Sequence, residues 1–266
     1  MNFRKGIMQM DERIILEVKN EFKQYIQKDS KLDWEEWEDI EVFVGESLSD
    51  AWVKARPEDS YKFSDGTFKQ FVNQANGKWL EKRTPEDSYK IIIGLKSLHT
   101  VKEITAVFVH ELVHCLNYKR AVGQMDFSQY HAGNEYFNHW SEFCAVIAQV
   151  RYEWFSESCS TFKQLSAILG IWSADCLEGI MNTENTHEKA YFLTRYIGSS
   201  RAVRDLSCEL DLHSKAFHIW NMQPYYIYEK YGYVFYVGNE WEAISNCSLD
   251  QKPGHDYCDM MKRIAN

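Results

Sequence analysis

The sequence predicts an α+β fold in which a small mixed sheet packs on long helices and the carboxy-terminal half is mainly helical. Three observations point to it. Strand-like runs rich in β-branched residues are short, at residues 40–44 and 91–95. Helical spacing of apolar residues extends over longer spans, near 10–28, 100–119, 139–155, 160–181 and 187–205. No low-complexity segment or linker interrupts them, so the expectation is one domain over residues 1–266. Its core part spans about 40–156, and a helical, aromatic-rich part spans about 157–266.

Composition narrows the classes of function. Hydrophobic residues make up 45% and aromatics 15% of the chain, enough for a sizeable core and unlike a disordered sequence. The formal net charge of −9 argues against nucleic acid as a partner, because phosphate binding needs a basic surface. No stretch approaches the length of a membrane span, and the first residues lack the apolar core of a signal peptide. The 7 cysteines are odd in number and scattered, which favours reduced thiols over a disulfide framework. A cytoplasmic, soluble protein is expected.

In chain order, Ile14, Ile15, Val18, Phe22, Tyr25 and Ile26 form one stripe of an amphipathic helix. The acidic segment 33–39 carries Trp34 and Trp37, and its charges predict a solvated face. A strand at 40–44 ends at Gly45, while 49–55 suits either a second strand or a short helix. The hexapeptide Pro-Glu-Asp-Ser-Tyr-Lys occurs at 57–62 and again at 85–90. Both copies read as turns leading into a strand, with Pro setting φ and Asp or Ser closing the turn.

The second copy feeds the strand at 91–95. Thr100 and Glu103 then have the spacing of a capping box that opens a helix running to about Lys119, with Gly123 helping to end it. Residues 121–138 read as a loop over a site, and the next helix starts near His139. The alternation at 231–237 predicts a late strand.

The chemistry centres on the second half of that capped helix. His110 and His114 lie one turn apart on one face and can grip one metal ion. Glu111 projects beside them, about 100° round the helix, as a general base. A catalytic zinc site needs a third protein ligand, leaving one position for water. Gly at 117 with His at 120 would extend the motif in one known way, but Asn117 and Arg120 stand there. His131, His139 and Glu142 remain, and Glu142 on a second helix suits a two-helix site with the small Ala145 one turn beyond.

His110-Glu111-Leu112-Val113-His114 followed by Glu142-Phe143-Cys144-Ala145 resembles the gluzincin group of zinc metallopeptidases. Through Leu116, the string is closest in motif to the intracellular ImmA/IrrE-type peptidases. The resemblance covers about residues 90–155. It implies a zincin-like fold, with Zn2+ held by His110, His114 and Glu142, and Glu111 activating water to cut a peptide bond. Some gluzincins carry an acidic residue four after the ligand Glu; here that position is Val146.

The function expected from this resemblance is an intracellular zinc-dependent endopeptidase acting on a peptide or protein substrate. The strand at 91–95 would hold the substrate backbone as an added strand. The alternative from another class is a zinc-site protein that binds a partner without turnover. A chain holding no zinc would instead be a plain interaction protein, with the Trp34/Trp37 segment as its working surface. The carboxy-terminal tyrosines read mostly as core or hairpin residues, with oxyanion stabilisation by one of them as an alternative. Cys258 reads as an ordinary buried thiol, with capping of the zinc in a latent state by it or another thiol as the rarer alternative.

Overall fold

The computed structural model describes residues 2–29, 34, 35, 37–124 and 135–209. These residues are mostly helical, with one three-stranded mixed sheet. They divide into two compact units, Met1–Leu116 and Asn117–Asn266, and the division falls inside one continuous helix.

The first unit opens with α1 (Asn2–Lys28). Its buried stripe is Val18, Phe22 and Tyr25, while Ile14, Ile15 and Ile26 are half-buried. A 3₁₀ turn at Trp37–Asp39 leads into β1 (Glu41–Gly45). The charges of the acidic segment misled the reading of its tryptophans. Trp34 and Trp37 are both buried, and each ring stands 5.0 Å edge-on to Phe22. Glu35, Glu38 and Asp39 take the solvent side. Burial of two indoles outweighs the pull of the flanking carboxylates, which reach water from the same short segment.

Residues 49–55 resolve as a helix, α2 (Leu48–Ala55). Ser47 and Asp50 form a reciprocal capping box, and Leu48, Ala51 and Ala55 make the buried stripe. Helical spacing and the cap together exclude a strand here. The first Pro-Glu-Asp-Ser-Tyr-Lys copy is not a turn before a strand. It is a 3₁₀ helix, Pro57–Ser64, leading into α3 (Gly66–Val72). Its proline stands at the helix start, where a missing N–H costs nothing. The second copy does turn into a strand, closed by Asp87 N–H donating to Thr84 O at 3.1 Å.

The two copies are tied together by charge. Within each, lysine pairs with the aspartate three residues earlier, Lys62 with Asp59 and Lys90 with Asp87. Between them, Arg83 pairs with Asp59, and Arg56 stands 3.7 Å from Asp87. Burial pushes the Asp59 carboxyl up, but hydrogen bonds from Trp52, Lys62 and Arg83 outweigh it and hold the group below the ordinary range. The hydrogen bond from Lys90 brings Asp87 down to about 2.

The strand β2 (Gly77–Leu80) was not evident from the sequence, and β3 (Lys90–Gly94) matches the expected run shifted by one residue. The sheet order is β1-β3-β2, with β1 parallel and β2 antiparallel to β3. All five residues of β3 are buried, as befits a central strand covered on both faces. One face carries Ile92 and Leu80 against Leu48, Ala51 and Ala55 of α2. Gly45 and Gly94 are register partners beneath the first turn of α2. A Cβ on Gly94 would stand 2.5 Å from Leu48 N, and one on Gly45 would meet Ala51 N, so the helix lies on bare backbone.

The other face belongs to α4 (Val101–Gln124). Gly77 pairs with Ile93, and a Cβ on Gly77 would point at Val107 and Glu111 of α4. Phe108 packs behind, its ring 5.3 Å from Phe22. The predicted capping box is present: Glu103 N–H donates to Thr100 Oγ1 at 3.1 Å, and Thr100 N–H to Glu103 Oε2 at 2.8 Å. The helix passes both Lys119 and Gly123, because one glycine costs only about 1 kcal/mol inside an apolar helix.

In the second unit, α5 (Glu135–Ser156) begins four residues before His139. It is followed by α6 (Phe162–Asn182), capped by Thr161 and Gln164, and α7 (Thr186–Glu209). So both ends of the expected 121–138 loop are helical, and residues 125–134 with His131 lie outside the described residues. The late strand at 231–237 and Cys258 also lie outside them. α7 packs on both neighbours. Gly198 brings it against α5, where a Cβ would stand 3.0 Å from Phe143 O and 3.2 Å from Val146 Cβ. Arg151 on α5 makes two parallel contacts with Glu209 on α7, at 3.0 and 3.1 Å. Among the described residues, no helix is long and apolar enough to cross a membrane.

Candidate metal centre

His110 and His114 share one face of α4, and their Nε2 atoms lie 3.2 Å apart. Two nitrogens bound to one tetrahedral zinc at about 2.0–2.1 Å would stand about 3.3–3.4 Å apart. The pair therefore has the spacing of metal ligands. Both rings are half-buried, on a helix whose Val109, Leu112 and Cys115 are wholly buried.

Glu111 turns toward the sheet. Its Oε2 accepts the backbone N–H of Trp79 at 2.9 Å. Trp79 belongs to β2, an edge strand among the described residues, and this N–H meets Glu111 on the side away from the β3 ladder. Gly77 makes the approach possible: its missing Cβ would stand 2.8 Å from Glu111 Cγ and 3.2 Å from Oε1. The carboxylate is thus located by a backbone donor and by a gap in the strand. Neither Gly77 nor Trp79 carried a sequence signal, because β2 is four residues long without clear alternation.

β3 cannot take an added strand, contrary to the expectation for residues 91–95. It is the middle strand, and both its edges are occupied by β1 and β2. The edge next to Glu111 is that of β2.

Glu142 lies on α5 with 4% of its surface exposed. One residue earlier, Ser141 Oγ accepts from Asn117 Nδ2 at 3.4 Å, which ties the last turns of α4 to α5. Across from Glu142 stands α7. Arg195 Nε lies 3.6 Å from Glu142 Oε1, and Tyr191 hydrogen-bonds both Glu142 and Arg195. Burial works against the Arg195 cation, but the neighbouring acidic groups of Tyr191 and Glu142 hold it above its ordinary value. Burial also raises the Tyr191 hydroxyl and pushes the nearby Cys176 thiol up to about 12, so that thiol is inert as a nucleophile at neutral pH. Val146, at the position where an acid was sought, is wholly buried and packs under Gly198.

Among the described residues, one group of three potential ligands can hold a metal ion: His110, His114 and Glu142, whose ligand atoms all lie within 4.8 Å of one another. Two imidazoles and one carboxylate make a donor set suited to zinc and to other divalent first-row metals. His139 lies on α5, and its side chain, like His131, lies outside what the structure describes. Arg195, Tyr191 and Asn117 are the neighbours that sequence reasoning missed. Only Asn117 had been noted, as a residue that breaks another metal pattern. No protein-family model, curated protein or solved structure matches the chain.

Proposed function

We propose that the chain is a zinc-dependent endopeptidase of gluzincin type, acting inside the cell on a peptide or protein substrate. The observation that carries this reading is the approach of His110, His114 and Glu142 to within 4.8 Å, with Glu111 next to the first histidine. A zincin-like architecture is supported by the motif helix, which follows a central strand and covers one face of a small mixed sheet. The odd number and wide scatter of the 7 cysteines support a reducing compartment.

His110, His114 and Glu142 would hold the ion. Zinc bound there would supply Lewis acidity, polarising the scissile carbonyl and making water nucleophilic near neutral pH. Glu111 takes the proton of the attacking water and passes it to the leaving nitrogen. Trp79 N–H keeps one carboxylate oxygen of Glu111 engaged, so the other is left to work on the proton. β2 is an edge strand among the described residues, and beside this base it would line up a substrate backbone by main-chain hydrogen bonds that tolerate many side chains.

Metal analysis tests the site. Purified wild type should carry about one zinc per chain, and Glu142→Ala should lose it while staying folded. A metal-replete wild type without zinc would end this reading. Comparison of proteomes from cells carrying wild type and Glu111→Gln would then identify the substrate.

A further inference from the structure

We infer that Arg195 is a positioning residue for Glu142, locking the carboxylate in the orientation from which it takes the metal. The inference rests on the metal reading above and names what aims its third ligand.

Three helices meet on this one guanidinium. Its Nε lies 3.6 Å from Glu142 Oε1 of α5. Its Nη1 donates to Tyr191 Oη at 3.2 Å, one turn earlier on α7. Its Cζ stands 5.2 Å from the ring centre of Trp172 on α6 and 5.6 Å from that of Tyr191. Trp172 is itself fixed, since its Nε1 donates to Glu153 Oε2 at 2.9 Å. A cation between two aromatic faces has few other places to go.

The backbone supports the same contact. Gly198, three residues beyond Arg195, lets α7 approach α5 at Phe143, the residue after Glu142. A larger residue there would push the α7 backbone away. Metal-binding carboxylates are commonly oriented by partners outside the ligand set, and loss of such a partner lowers metal affinity 10–100-fold. In this chain an acid four residues after Glu142 is absent, and a cation from another helix stands beside the carboxylate instead. Lysine would not replace it well, because its point charge lacks both the planar fork and the stacking surface.

The full-length chain is titrated with Zn2+ against a competing chelator, and with Co2+ while its visible absorption is recorded. Arg195→Met should weaken zinc binding about 10–100-fold and alter the cobalt band, and Arg195→Lys should fall between it and wild type. Circular dichroism of the metal-free proteins guards against misfolding. If Arg195→Met is unstable, Arg195→Lys and Tyr191→Phe carry the test, and both should still weaken zinc. Zinc affinity within twofold of wild type, with an unchanged cobalt spectrum, overturns the inference and leaves the metal reading standing. Tighter zinc binding also overturns it, making Arg195 a competitor for Glu142. A wild type that binds neither ion overturns both.

Discussion

Replacing Gly77 with alanine tests how the base is held. The new Cβ would stand 2.5 Å from Val107 Cγ1 and 2.8 Å from Glu111 Cγ. Ordinary contact is about 3.5 Å, so about 1 Å must be found. Val107 is β-branched on a helix and has one strongly preferred rotamer, so much of the movement falls on Glu111 and on the edge of β2. A displacement of about 1 Å in a reacting group costs on the order of 100-fold in rate, or about 2.7 kcal/mol at the transition state. The crowding itself should destabilise the fold by about 1–3 kcal/mol. The assay is single-turnover cleavage of a substrate that wild type cuts and Glu111→Gln does not, alongside zinc content and a urea midpoint. Gly77→Ala should keep its zinc and lose rate about 10–100-fold. Full wild-type rate with an unchanged midpoint would refute the claim that this glycine positions Glu111.

Other expectations concern the fold and its charges. Gly94→Ala should lower stability by about 1–3 kcal/mol, because the new methyl meets the α2 backbone, which cannot swing aside as a side chain can; an unchanged denaturation midpoint would contradict this. Asp59 and Asp87 both have depressed carboxyl values, so they stabilise the fold above about pH 4, where the unfolded carboxyls ionise. That contribution is lost as pH falls, for Asp87 between about 4 and about 2. Asp87→Asn should therefore flatten the acid limb of stability against pH, and an identical limb in the variant would count against the pairing. Asn117→Ala should leave the histidine pair intact but weaken the tie to Ser141, with a loss of about 1 kcal/mol read from the urea midpoint.

Local signals carried much of the fold. Thr100 and Glu103 announced the start of α4 because a capping box is written within four residues. The His-Glu-x-x-His spacing put both imidazoles on one face by helix geometry alone. Pairing between distant segments was harder to read. The unbroken burial of Ile91, Ile92 and Ile93 is the mark of a central strand, and the run of three isoleucines carries that signal against a place at the substrate cleft. β2 was invisible because Lys78 and Trp79 alternate only weakly over four residues. The hexapeptide repeat shows how context overrides identity: one copy runs on into α3 and stays helical, and the other turns into β3. Arg195 and Tyr191 reach Glu142 only through the packing of α7 on α5, which a glycine at 198 permits and no local pattern declares.

Glu111→Gln bears most directly on the central claim. The change removes a proton acceptor while keeping shape and leaving His110, His114 and Glu142 untouched. The account predicts about one zinc per chain in the variant and a cleavage rate at least about 100-fold below wild type, the lower range for loss of a general base. A fully zinc-loaded Glu111→Gln that cuts the same substrate at the wild-type rate would contradict it.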